Sequence, residues 1–163
     1  MTPPCSRRSA LGILSGGALA IVSGCRRAEA VAGDAGNASG GALPRIAPRD
    51  LDARLGEVRD GKVDLLHVGP AYLFGRARIP HARHPGEAST AEGYAAIVTE
   101  LKRIPAEREV VLYCGCCPTK NCPNVAPAER AAHEAGLRRA SVLDLPTTLK
   151  ADWSDRGYPV ERS

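Results

Sequence analysis

Residues 109–113 read Glu-Val-Val-Leu-Tyr and run without a break into Cys114. A run this rich in β-branched and aromatic side chains, with no polar alternation, suits a strand covered on both faces, and such strands belong to parallel sheets. The chain from Pro44 onward keeps to the same plan. Short β-like runs alternate with stretches of helical period, the pattern of a single α/β domain with a mainly parallel central sheet flanked by helices.

The spacing predicts a helix over residues 50–58, with Leu51, Leu55 and Val58 on one face and Gly61 beyond its end. An apolar strand over residues 63–68 follows, then a loop through Ile79 and Pro80. Ser89 or Thr90 is placed to N-cap a helix that carries Tyr94, Ile97, Val98 and Leu101 on one side and stops before Pro105. After the 109–113 strand, Pro127 suits the first turn of a helix that ends at Gly136, and residues 140–145 read as another short strand. Aromatic residues are only 4% of the chain, so this core is built from Leu, Val, Ile and Ala.

The first residues follow a different logic. Arg7 and Arg8 precede an apolar run from Ala10 to Val22, about 13 residues where roughly 20 are needed to cross a bilayer as a helix. The run closes on Val22-Ser23-Gly24-Cys25. This order resembles a bacterial lipoprotein signal, with a twin-arginine pair ahead of it and Cys25 as the lipidated first residue of the mature chain. An uncleaved anchor or a buried helix from Ala10 is the alternative, weakened by Gly12, Gly16 and Gly17. The division expected is therefore an export signal over residues 1–24, Cys25 and a tether over 25–43 rich in Ala, Gly, Ser and Asn, and a folded domain over 44–163. That places the protein outside the cytoplasm, held to a membrane by its lipid and facing the periplasm or the cell exterior. The formal charge of +4, half of it from the arginine pair, is too weak for a polyanion-binding surface, and nucleic acid is not an expected partner.

Cys114, Cys116, Cys117 and Cys122 lie together in the loop between the 109–113 strand and the next helix. At such a place free backbone N–H groups and the positive end of a helix dipole stabilise an anion. A thiolate or persulfide is such an anion, and a depressed thiol pKa would make Cys114 nucleophilic near neutral pH. Cys114 is the cysteine directly behind the buried strand. Gly115, Cys116, Cys117 and Lys120 are the expected cradle around it. Cys122 is followed by Pro123, which has no N–H to offer.

Val110-Val111-Leu112-Tyr113-Cys114, Glu134-Ala135-Gly136, Val142-Leu143 and Trp153 followed by Gly157-Tyr158-Pro159-Val160 stand in the order found in rhodanese-like domains, which the chain resembles from Pro44 to its end. The resemblance implies a sulfurtransferase in which Cys114 carries sulfur as a persulfide. Its partners would be a small sulfane-sulfur donor and a thiophilic acceptor, and no organic cofactor would be required. Leu65-Leu66-His67-Val68-Gly69 stands where the family commonly writes Asp-Val-Arg, and Arg78-Ile79-Pro80-His81-Ala82 stands for its His-Ile-Pro-Gly-Ala. The loop is also longer than in a simple thiosulfate-type rhodanese and lacks the usual Arg. Phosphatases and arsenate reductases of this superfamily grip a dianion with Cys-x5-Arg, whereas Thr119 and Lys120 stand five and six places after Cys114, which argues against that chemistry.

Other uses of the four thiols stay open at this level. Cys114, Cys116, Cys117 and Cys122 supply enough sulfur for Zn or Cu(I), in a metal- or redox-responsive binding module, although adjacent Cys116 and Cys117 are awkward ligands for one ion. Cys116 or Cys117 could instead form a disulfide with Cys122 or resolve a Cys114 persulfide. A catalytically inactive rhodanese-like domain is the remaining alternative. Of the other residues, His67 reads as a buried, hydrogen-bonded residue, and His81, His84 and His133 as solvent-facing. Trp153 and Tyr158 read as core that seals the C-terminal end. Arg76, Arg78 and Arg83 either draw an anionic donor or simply face water.

Overall fold

The computed structural model describes residues 41–162, all within the unit Asp34–Ser163. The expected signal, Cys25 and most of the expected tether lie outside the described residues. Within them, β1 (Arg45–Ile46), β2 (Val63–His67), β3 (Glu109–Tyr113) and β4 (Arg139–Leu143) form one sheet in the order β1-β4-β3-β2. Every pairing is parallel. The fold class expected from sequence is the one observed, with β3 in an interior position between β2 and β4.

The pleat of β3 divides the core in two. Val110, Leu112 and Cys114 belong to one apolar cluster, and Val111 and Tyr113 to the other, as the two-residue period of a strand requires. The first cluster is closed by α4 (Ala91–Leu101) through Ile97, Val98 and Leu101, and by α5 (Val125–Glu134) through Val125, Ala128, Ala131 and Ala132. The second cluster gathers Leu51, Val58, Leu145, Leu149 and Trp153. Cys114 thus faces α4 and α5, a direction set by its phase along the strand.

Thr90 is the N-cap of α4, its hydroxyl accepting the Gly93 N–H at 3.0 Å. Gly136, at φ +74°, turns the chain out of α5 in a left-handed conformation that suits glycine. Trp153 is fully buried, donates its indole N–H to the Pro159 carbonyl at 2.8 Å and packs on Tyr158 at 5.0 Å. Both aromatics close the C-terminal end as expected. No helix among the described residues is long and apolar enough to cross a membrane.

Several expectations need correction. The helix expected over 50–58 is two short ones, α1 (Pro48–Asp52) and α2 (Leu55–Arg59). Arg54 leaves helical geometry at φ −112° and ψ 9°, where its guanidinium binds Glu57 at 2.7 Å and Glu109 of β3 at 2.5 Å. The apolar spacing survives the break because both pieces still turn Leu51 and Val58 inward. The loop after β2 contains α3 (Ala71–Arg76), which has no buried residue and therefore left no period to read. The final strand ends at Leu143, two residues before the expected end. Leu43, placed in the tether by composition, is buried, and its N–H donates to Glu129 at 3.1 Å, so packing begins before Pro44.

Candidate functional site

Strand β3 delivers Cys114 at its C-terminal end, and the chain then has to turn. Gly115 makes that turn at φ +82°, and a Cβ there would stand 2.7 Å from the Leu149 Cβ. Both the dihedral and the contact demand glycine. The turn brings the Cys116 N–H back onto the Cys114 sulfur. From Pro118 the loop enters a 3-10 turn over Thr119–Asn121 and reaches Cys122 just before α5.

Thr119 holds this excursion to the sheet. Its buried hydroxyl donates to the Leu143 carbonyl at 3.1 Å and accepts from the Leu145 N–H at 2.8 Å, while its own N–H donates to the Leu145 carbonyl at 2.9 Å. The loop consequently returns to its starting point and gathers the other three sulfurs around that of Cys116. Cys116 Sγ lies 3.2 Å from Cys114 Sγ, 3.0 Å from Cys117 Sγ and 3.7 Å from Cys122 Sγ. All four are free thiols; Cys114 and Cys122 are buried, and Cys116 and Cys117 half-buried.

Two neighbours of Cys114 were not singled out in the sequence. Asn124 is buried, accepts the Ser89 N–H at 2.8 Å on Oδ1 and points Nδ2 at Cys114 Sγ, 3.5 Å away. Its only sequence signal is an amide residue at the N-terminus of α5, the ordinary place of a helix cap. Gly69 lies against the same sulfur, for a Cβ there would sit 2.5 Å from Cys114 Sγ. It stands in the segment where the family's Asp-Val-Arg is missing. The sulfur is walled on that side, and the half-buried Cys116 and Cys117 mark the more open one.

The charge in the cluster settles on one atom. The Cys122 sulfur nearby, followed by burial, pushes the Cys114 thiol far up. Burial and hydrogen bonds to Cys116 and Cys122 push Cys117 up to about 12. Cys122 moves the other way, down to about 5, because the Cys114 thiol lies beside it and the Asn124 backbone N–H bonds it. The expectation of a depressed Cys114 pKa is thereby reversed: two adjacent thiols cannot both ionise cheaply, and the better-solvated charge is the one with the donors. Pro123 does not deprive Cys122 of an N–H, because the residue after it supplies one.

His67 is buried, as expected, and its ring donates to the Cys114 carbonyl. Burial, with His84 second, lowers its pKa to about 4, so it is neutral at neutral pH. His84 was expected to face solvent but is half-buried; its Nδ1 lies 3.2 Å from His67 Nδ1, and its ring stacks on Phe74 at 5.3 Å. His81 is exposed and holds φ +64° where the family pattern has glycine. His133 is half-buried, with Nε2 2.8 Å from the Gly41 carbonyl oxygen. Lys120 is exposed on the 3-10 turn. Arg83 is engaged by Asp64 at 2.7 Å and by Glu100, and Arg78 by Glu161 at 3.2 Å, which leaves them poorly suited to drawing in an anion.

Neither a known sequence family nor a curated protein matches the chain. Solved structures do. A protein from Bacillus halodurans superposes with a TM-score of 0.56 at 18% identity, over 74% of this chain and 77% of that one. A rhodanese-like domain from Anabaena sp. gives 0.54 at 19% identity, over 74% and 80%. A rhodanese-related protein from Thermoplasma volcanium gives 0.51 at 16% identity, over 74% and 99%. The fold of this chain is that of the rhodanese-like domains.

Proposed function

We propose that this rhodanese-like fold carries a sulfurtransferase that moves sulfane sulfur through a Cys114 persulfide. The observation behind this reading is the placing of Cys114 at the end of an interior strand, with the Asn124 amide 3.5 Å and the Cys116 sulfur 3.2 Å from its own sulfur. As a donor approaches, the one proton shared by Cys114 and Cys122 passes to Cys122 and the charge to Cys114. The Cys114 thiolate then attacks the outer sulfur of a donor such as thiosulfate, the S–S bond of the donor breaks, and sulfite leaves. The Cys116 N–H and the Asn124 amide, both on Cys114 Sγ, are positioned to hold the new anion.

Sulfur leaves by attack of an external thiophile on the outer atom of the persulfide, which returns Cys114 as a thiolate. Cys116, 3.2 Å away, offers an internal route. Its thiol attacks Cys114 Sγ, the outer sulfur departs as hydrosulfide, and a Cys114–Cys116 disulfide remains for an external dithiol to reduce.

Mass spectrometry after incubation with thiosulfate or a polysulfide tests the first half. A gain of one sulfur is expected on the peptide containing Cys114, absent in Cys114→Ser and retained in Cys117→Ser. Cys122→Ser is expected to load more slowly, for want of the proton acceptor. A gain that persists in Cys114→Ser, or that vanishes only in Cys122→Ser, moves the nucleophile, and no gain on the wild type overturns the reading.

A further inference from the structure

The structure assigns a second ligand to this loop: we infer that Cys114, Cys116 and Cys122 form a three-coordinate thiolate site for Cu(I). Among the described residues these three sulfurs lie within 4.8 Å of one another. The inference rests on that geometry and on the donor set, and it holds whether or not the protein transfers sulfur.

The donors are uniformly soft. Sulfur faces sulfur across 3.2 and 3.7 Å, and the histidine beside the site, His67, spends its ring on the Cys114 carbonyl. All-thiolate sets select monovalent copper, zinc or iron–sulfur clusters over hard cations. The number of ligands separates them. Zinc in a structural site takes four ligands in a tetrahedron. The fourth thiol here, Cys117, is 3.0 Å from Cys116 but outside the mutually close set. Three sulfurs around one ion, with a metal–sulfur bond of about 2.3 Å, sit about 4 Å apart. The spacings observed require only small side-chain rotations to reach that triangle.

The surroundings suit a thiolate-bound ion as well. Cys114 and Cys122 are buried, so two of the three bonds would be shielded from water and oxidants, and half-buried Cys116 provides the way in. The Asn124 amide donates toward Cys114 Sγ, which offsets negative charge on a ligand and fixes its direction. Copper bound this way occupies the sulfur that a sulfane donor would need, so copper loading and sulfur loading exclude each other.

The test uses the full chain, purified reduced under nitrogen and titrated with Cu(I) held by a coloured Cu(I)-specific chelator. One equivalent per chain is expected to leave the chelator, and X-ray absorption of the loaded wild type to show three sulfur neighbours. Cys116→Ser and Cys122→Ser are expected to weaken binding by about 100-fold or more, with folding checked by circular dichroism, while Cys117→Ser binds as the wild type does. Failure of the wild type to withdraw copper overturns the assignment. So does a four-sulfur shell together with equal loss in Cys117→Ser, or displacement of the copper by an equal concentration of Zn(II). Sulfur loading on Cys114, measured without copper, reports separately on the transferase reading.

Discussion

How the cysteine cluster shares its charge fixes how the site answers to pH. Cys122 is the thiol expected to ionise first, held down to about 5 against an ordinary value of 9. Titration of the thiolate absorbance in the ultraviolet should show a single step with a midpoint near 5 in the wild type. The step should be absent in Cys122→Ser and move upward in Cys114→Ser, because the thiol that lies beside the Cys122 sulfur is gone. A wild-type step near 9 would mean that the cluster does not hold its charge. The position of Cys114 was legible in the sequence, since a buried strand that ends in cysteine leaves little choice. The acidity of Cys122 was not, because it depends on the Asn124 N–H reaching back past Pro123 and on a contact between residues eight places apart.

At the level of elements, the cysteine loop is held by what it touches more than by its own conformation. Thr119 pins it to the end of β4 through two hydrogen bonds of a buried hydroxyl. Thr119→Val preserves shape but removes both partners. It should cost about 1–3 kcal/mol in urea unfolding and lower the yield of Cys114 persulfide, with Thr119→Ser restoring most of each. An unchanged yield in Thr119→Val would show that the loop needs no such pin. Strand β3 and helix α4 were readable because each carries a strong local signal, β-branched side chains in one and a capped apolar stripe in the other. The break between α1 and α2 was not, because it is set by Arg54 reaching Glu109, a residue distant in sequence. Helix α3 escaped for a simpler reason: periodicity reports burial, and α3 has no fully buried residue, only half-buried Phe74 against the second cluster.

The molecule as a whole carries a pH dependence through His67. Its pKa in the folded protein is about 4, against 6.5 for an ordinary histidine. A lowered value on a base means that the unfolded chain binds the proton more readily. His67 therefore leaves stability unchanged above pH 6.5 and removes it as pH falls from 6.5 to 4, by about 3 kcal/mol in all. Measured across that window, the unfolding free energy of the wild type should fall by about 3 kcal/mol relative to that of His67→Gln as the medium is acidified. Parallel curves would show that His67 does not ionise on unfolding. The loop's other support comes from farther along the chain: Leu149 donates its N–H to the Gly115 carbonyl at 3.1 Å and fills the space beside Gly115, with Trp153 buried behind it. Both residues leave the ribosome after the cysteines do. During synthesis there is consequently an interval in which four closely spaced thiols are out and the segment that braces their loop is not.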